Sequence, residues 1–137
     1  MTKQLWINLA VRDLKKSQQF FINLGIAKAT GHGNTATMAG LVFGEQKVAV
    51  MLIEEKAFKE VIRNTVTDTH LSNEAIFSFD AESCEEVDEI AKKVTANGGN
   101  VFAPPAKIQG WMYGCAFTDL DGHRWNALYM DMSKMPK

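Results

Sequence analysis

The sequence has little cysteine, no long apolar run and no block of charge of one sign. Two cysteines among 137 residues, Cys84 and Cys115, make no disulfide framework, so we expect reduced thiols and a cytoplasmic protein. The net charge is −1 and no basic run is present, which argues against a nucleic-acid partner. No segment has the apolar length of a membrane span or of a signal peptide, so we expect no membrane partner.

The composition is that of a globular protein, with 46% hydrophobic and 23% charged residues. A chain of this length can bury the core of one domain, or of two small modules. The order of its motifs favours two modules, because one pattern occurs twice.

The first half of the chain predicts strand, helix and three strands. Asp13 can cap the helix and Gly25 can end it. Periodicity predicts the strands at residues 5–11, 27–29, 36–43 and 47–53, and a short helix within residues 54–68.

The second half repeats this order. Ser83, with Glu86 three residues later, predicts a capping box, and Gly98 ends the helix. The predicted strands are residues 74–80, 100–102, 113–118 and 124–130, with Pro104-Pro105 as a rigid connection. The repeat predicts an α+β fold of two βαβββ modules. We assign residues 1–63 to the first module and its short helix, 64–73 to a linker and 74–137 to the second module.

The hairpin Phe117-Thr-Asp-Leu-Asp-Gly-His-Arg-Trp-Asn-Ala-Leu-Tyr129, with its turn at Asp121-Gly122, is the most distinctive stretch. It resembles the closing hairpin of the vicinal-oxygen-chelate superfamily, which contains glyoxalase I, extradiol dioxygenases, fosfomycin-resistance enzymes and bleomycin-resistance proteins. The resemblance covers nearly the whole chain. It implies that the two modules form a half-open, cup-shaped sheet around a cavity, with helices on the outer face.

The same resemblance indicates where a metal would bind. Metal-dependent members carry His, Gln or Glu near the start of each module's first strand and Glu in the last strand. The matching positions here hold Trp6, Glu74 and Asn126. One indole, one carboxylate and one neutral amide are a poor set for a divalent ion. We therefore expect no metal ligands and no cofactor, with a metal held by rearranged donors as the alternative.

Strand alternation predicts the ligand-binding side chains, because neighbouring residues point to opposite faces. We place Trp6, Asn8, Glu74 and Asn126 on the more polar faces, where a ligand would satisfy them. Glu74 is also the candidate general base; it could equally be a solvated carboxylate, or one paired with Arg124.

The second module supplies three further candidates. Trp111 and Tyr113 lie in a Gly-flanked segment that predicts a lid or stacking wall, with an interface anchor as the other interpretation. Cys115 is placed on the cavity side with Phe117, although a buried, inert thiol is the default for such a residue.

Two classes of function follow from these residues. One is a metal-free protein that binds a small organic molecule, of the bleomycin-resistance type, for which the resemblance implies a homodimer. The other is a divalent-metal-dependent lyase, isomerase or dioxygenase with a rearranged site. A metal-free enzyme using Glu74 as its base is a third hypothesis, so whether the protein is an enzyme stays open at this point.

Overall fold

A computed structural model describes all residues 1–137. The chain forms two compact units, Met1–Asp68 and Thr69–Lys137, whose boundary falls within residues 64–73. Each unit contains one four-stranded sheet and one main helix. The prediction of an α+β fold with two βαβββ modules is confirmed.

The first unit has the sheet order β1-β4-β3-β2, with β1 parallel to β4 and the other pairs antiparallel. Asp13 caps its first helix by accepting the Lys16 amide at 3.1 Å, and Gly25 follows the helix with φ 75°. The elements are β1 Ile7–Val11, α1 Leu14–Asn23, β2 Ala27–Ala29, β3 Met38–Phe43, β4 Val48–Glu54 and α2 Glu55–Ile62.

The core of this unit lies between α1 and one face of the sheet. Phe20 and Phe21 of α1 and Leu24 just after it are at most 2% exposed, as are Leu41 and Leu52 of the sheet. Phe21 meets Phe43 edge to face, with ring centroids 5.9 Å apart. Burial of these apolar side chains supplies most of the unit's stability.

The second unit repeats the topology with the order β5-β8-β7-β6, in which β5 is parallel to β8. Ser83 caps its helix by accepting the Glu86 amide at 3.1 Å. A capping box predicts that the Glu86 carboxylate accepts the amide of the N-cap residue, Ser83. It accepts the amide of Glu82, the preceding residue, at 2.7 Å instead. The elements are β5 Ile76–Asp80, α3 Cys84–Ala96, β6 Asn100–Ile108, β7 Met112–Thr118, β8 Arg124–Met130 and a 3₁₀ turn, Met132–Lys134.

Helix α3 covers one face of the second sheet. Phe117, Trp125 and Ala127 are buried on that face, and the Phe77 and Trp125 rings lie 5.0 Å apart. The helix contributes the buried residues Val87, Ile90, Ala91 and Val94, as its periodicity predicts. We call the opposite side the open face; on β8 it consists of Arg124, Asn126, Leu128 and Met130, because successive strand residues alternate.

One predicted connection is wrong. Pro104 and Pro105 lie inside the nine-residue strand β6, not between two strands. β6 is an edge strand whose pairing with β7 shifts register between Val101 and Ala106, and an edge tolerates residues that lack an N–H donor. The chain contains no helix of the length and apolarity needed to cross a membrane.

Candidate functional site

The side-chain amide of Asn126 is the polar group on the open face that the protein leaves unsatisfied. Its Oδ1 is buried and has no hydrogen-bond partner. Asn126 pairs in register with Ser78 on β5 and with Ala116 on β7, so a hydroxyl and a methyl group are its lateral neighbours. A buried amide oxygen without a partner costs free energy, and a ligand that donates a hydrogen bond would recover it.

The rest of the open face is mostly apolar. Met112 pairs with Met130 across β7 and β8, and Leu128 pairs with Gly114. A Cβ on Gly114 would lie 2.6 Å from a methyl of Leu128, so glycine lets that side chain lie flat on the sheet. Unbranched methionines adapt their shape to a partner, which suits a wall that receives an organic molecule.

Arg124 is the cation at the start of this face. Its Nε donates to Asn73 Oδ1 at 3.0 Å, and its guanidinium carbon lies 4.1 Å from the ring centroid of Phe102. Asn73 is itself fixed, because its Nδ2 donates to the Gly122 carbonyl at 3.0 Å. The arginine is thus held in one position by a hydrogen bond and by a ring.

The sequence predicts Glu74 as the first residue of a strand over residues 74–80, but it lies outside the observed strand. β5 begins at Ile76, and Glu74 is exposed two residues before it. None of the ion pairs involves Glu74, so the predicted pairing with Arg124 is absent.

In the first unit, Trp6 also precedes its strand and is 56% exposed. Its indole is therefore not part of the core of the first unit. Asn8 is exposed on β1, opposite the face that buries Leu9 and Val11, as alternation predicts.

Tyr113 and Cys115 face α3, away from Asn126. The Tyr113 hydroxyl donates to Asp88 at 2.7 Å, and the Cys115 thiol lies 4.0 Å from the Val87 carbonyl oxygen. The prediction that Cys115 is on the cavity side with Phe117 is wrong, because Phe117 packs under the helix and alternation puts Cys115 beside it. Tyr113 shares that face and is no stacking wall for a ligand on the open face.

Trp111 belongs to a tight turn instead of a lid loop. Ile108 pairs with Met112, and the turn between them has φ 53° at Gln109 and 79° at Gly110. Trp111 is half-buried; its carbonyl accepts the Asp131 amide at 2.8 Å, and its buried Nε1 has no partner. It thus offers an unsatisfied donor.

Hydrogen bonds and burial shift the pKa of three side chains in the second unit. The hydrogen bond to Asp88 raises the pKa of Tyr113 to about 12, with burial as the second cause. Burial likewise raises the pKa of the Cys115 thiol, which keeps it protonated and unreactive. Burial raises the pKa of the Asp119 carboxyl as well, although His123 and the hydrogen bond from Trp125 oppose that shift.

The three positions that would hold a metal in related proteins do not fit one. The Trp6 indole has no lone pair to donate, Asn126 is neutral, and Glu74 is the one carboxylate among them. Nowhere do three or more His, Cys, Asp or Glu side chains come together as a ligand set.

Arg124 and Asn73 are not among the site residues that the sequence predicts. The signal for Arg124 was present, since it lies two residues before Asn126 and alternation gives both the same face. Asn73 has no such signal, because its partners Gly122 and Arg124 are 49 and 51 residues away in the chain.

The chain resembles known proteins over most of its length. Residues 3–127 match the family model described as Glyoxalase/Bleomycin resistance protein/Dioxygenase superfamily. A hypothetical protein, SA1046, from S. aureus is 38% identical with a TM-score of 0.84, over 94% of this chain and 95% of that one. No curated protein matches.

Two more distant structures share the fold. A glyoxalase/bleomycin resistance protein/dioxygenase family enzyme from Burkholderia phytofirmans PsJN is 15% identical, with a TM-score of 0.78 over 91% of this chain and 96% of that one. The genomically encoded fosfomycin resistance protein FosX from Listeria monocytogenes is 18% identical, with a TM-score of 0.70 over 100% of this chain and 95% of that one.

Proposed function

Because the chain belongs to the glyoxalase/bleomycin resistance protein/dioxygenase superfamily, we propose that it binds a small organic molecule on the open face of the second sheet, without a metal. The observation that carries this proposal is the buried, unpartnered Oδ1 of Asn126. Sequestration of a compound needs a wall of apolar side chains and a few polar anchors, and no reactive centre.

The free-energy cost of the unpaired Asn126 Oδ1 supports a ligand beside it. Leaving one buried polar atom unpaired costs about 1–3 kcal/mol, which a folded protein avoids unless something else satisfies the atom. An amide at the centre of a face that otherwise carries Leu128, Met130 and Met112 is explained by a ligand that donates a hydrogen bond to it. Apolar contact with those side chains then adds affinity.

Other residues that the sequence predicts to bind a ligand are part of the proposal. Glu74 is exposed in front of β5, where its carboxylate is available to a ligand as an anchor or base. Trp111 would contribute its unpaired Nε1 as a donor. In the first unit, Trp6, which the resemblance aligns, and Asn8, which strand alternation indicates, are exposed and stay predicted ligand contacts of that unit.

We also propose that the protein is a cytoplasmic homodimer. β1 is an edge of the first sheet and β5 an edge of the second, and Ile76 at the start of β5 is 50% exposed. Edge strands with exposed apolar side chains favour pairing with another chain. Size-exclusion chromatography with light scattering measures the molar mass directly. A monomer at every protein concentration would contradict the homodimer.

A thermal-shift screen tests ligand binding, because a compound that binds only the folded state raises Tm. The panel contains bleomycin and fosfomycin, after the names of the related proteins, and a general set of small organic molecules. We expect stabilisation by at least one compound, unchanged by a chelator. A panel without a single stabilising compound contradicts the proposal.

Elemental analysis separates this function from the metal-dependent alternative. The protein is purified without chelator, as wild type and as Glu74→Gln. We expect less than stoichiometric divalent metal in both. About one ion per chain, lost in the variant, would instead indicate a metal-dependent enzyme.

A further inference from the structure

Arg124 is a cation held in a fixed position on the open face of the second sheet. It is half-buried on the open face, two residues before Asn126 on β8. One hydrogen bond from Nε to Asn73 and one contact with the Phe102 ring fix the guanidinium plane. A fixed guanidinium has little conformational entropy left to lose when it binds a partner.

The donors on the two Nη atoms are the part of this group that remains uncommitted. None of the ion pairs includes Arg124, and its one side-chain hydrogen bond uses Nε. Asp80, the acid on the same face within β5, pairs with Leu128, four residues further along β8. Glu74, two residues before β5, makes no ion pair with Arg124, so no carboxylate is paired with this positive charge.

The two anchors set the chemistry of a ligand. Residues two apart on a strand are about 7 Å apart and point the same way, so Arg124 and Asn126 can bind two ends of one small molecule. Paired Nη donors suit the oxygens of a carboxylate, phosphonate or sulfonate, and an amide oxygen accepts a hydroxyl or N–H. The Phe102 ring lies against the guanidinium at the anionic end.

We infer that the ligand of the open face is a small organic anion, whose acidic group binds Arg124 and whose hydrogen-bond donor binds Asn126. This inference rests on the proposed function and adds the class of ligand to it. Arg124 is thus the residue that selects anions over their neutral analogues, because hydrogen bonds between an anionic group and the guanidinium have both partners ionised and gain a charge-charge attraction that a neutral carbonyl lacks.

A screen of matched pairs tests the selection. Small carboxylates, phosphonates and sulfonates that carry a hydroxyl or amino group are compared with their neutral amides or methyl esters by thermal shift and calorimetry. We expect binding among the anions, and neutral analogues at least tenfold weaker. Arg124→Gln should abolish that preference, while Lys107→Gln should preserve it, because Lys107 pairs with Tyr113 on the opposite side of the sheet.

Arg124→Lys is the second variant if Arg124→Gln does not fold. It keeps the charge and loses the Nε donor and the planar fork, so the preference should fall without disappearing. Neutral analogues that bind as tightly as the anions, or an unchanged preference in the Arg124 variants, would overturn the inference and leave the proposed function standing. Binding by neither series would overturn the inference, and the proposed function falls with it only if the general panel also contains no stabilising compound.

Discussion

The indole Nε1 of Trp125 donates a 3.0 Å hydrogen bond to Oδ2 of Asp119, across the loop that joins β7 to β8. Oδ1 of the same carboxylate accepts the amides of Asp121 at 2.9 Å and His123 at 3.0 Å. One buried side chain therefore satisfies three donors, and the loop that leads into β8 takes its shape from it.

Replacing Asp119 should destabilise the protein strongly. Asp119→Ala leaves those donors without their acceptor, and we expect a loss of about 3 kcal/mol in the free energy of unfolding. Urea unfolding followed by Trp fluorescence measures it. Asp80→Ala, at an exposed strand position, is the matched control and should change stability by less than about 0.5 kcal/mol. Equal effects of the two substitutions would contradict the role of Asp119.

Gly122 should tolerate no side chain. Its φ is 88°, and a Cβ there would lie 2.9 Å from the carbonyl carbon and oxygen of Thr69. We expect Gly122→Ala to cost about 3 kcal/mol, since backbone strain and a clash with backbone add.

Gly110→Ala is the control for strain alone, because its φ is 79° and a Cβ would meet nothing within 4 Å. It should cost about 1 kcal/mol. A smaller loss for Gly122→Ala than for Gly110→Ala would show that the contact with Thr69 is not tight.

Tyr113 should titrate at a higher pH than an ordinary tyrosine. In a Tyr129→Phe background, Tyr113 is the remaining tyrosine, and its absorbance near 295 nm should report a pKa of about 12. Asp88→Asn should lower that value, because the hydrogen bond to the carboxylate favours the neutral phenol.

The sign of the effect on stability follows from the direction of this shift. The folded pKa lies above the unfolded value, so the stabilising contribution is complete below about pH 10 and disappears as pH rises through about 12. An ordinary tyrosine titration in the Tyr129→Phe protein would contradict the contact with Asp88.

Cys115 should be inert in the folded protein. It is 3% exposed, and burial raises the pKa of its thiol. In a Cys84→Ser variant we expect a thiol reagent at pH 8 to label Cys115 only as fast as the protein unfolds, whereas a Cys115→Ser variant should be labelled much faster at the half-buried Cys84. Rapid labelling of native Cys115 would place it on an accessible face after all.

Local patterns predicted the order of elements and most faces correctly, since caps, glycine stops and alternation are encoded by neighbouring residues. Asn126 and Trp125 fell on opposite faces as predicted, because β8 has no register shift. The predicted placement of Cys115 was wrong because alternation groups it with Phe117 but does not say which face of the sheet the helix covers. The Pro104-Pro105 pair predicts a connection between strands. The structure accommodates both prolines inside β6 because β6 is an edge strand, and that position depends on the whole sheet.

The contacts of the polar side chains on the open face could be found only from the three-dimensional structure. Asn73 binds Gly122 and Arg124 from 49 and 51 residues away in the chain, and no local pattern contains such a pairing. The unsatisfied state of Asn126 Oδ1 is likewise a property of its surroundings.

The most direct measurement is the effect of Asn126→Leu on two quantities, the free energy of unfolding and the affinity for a ligand found in the screen. Leucine has a similar volume and leaves no unpaired oxygen, so the free protein should be equally stable or more stable by about 1 kcal/mol. Affinity should fall at least tenfold, because the acceptor is gone. A variant that loses stability and binds the ligand as well as the wild type would contradict a ligand-binding role for Asn126.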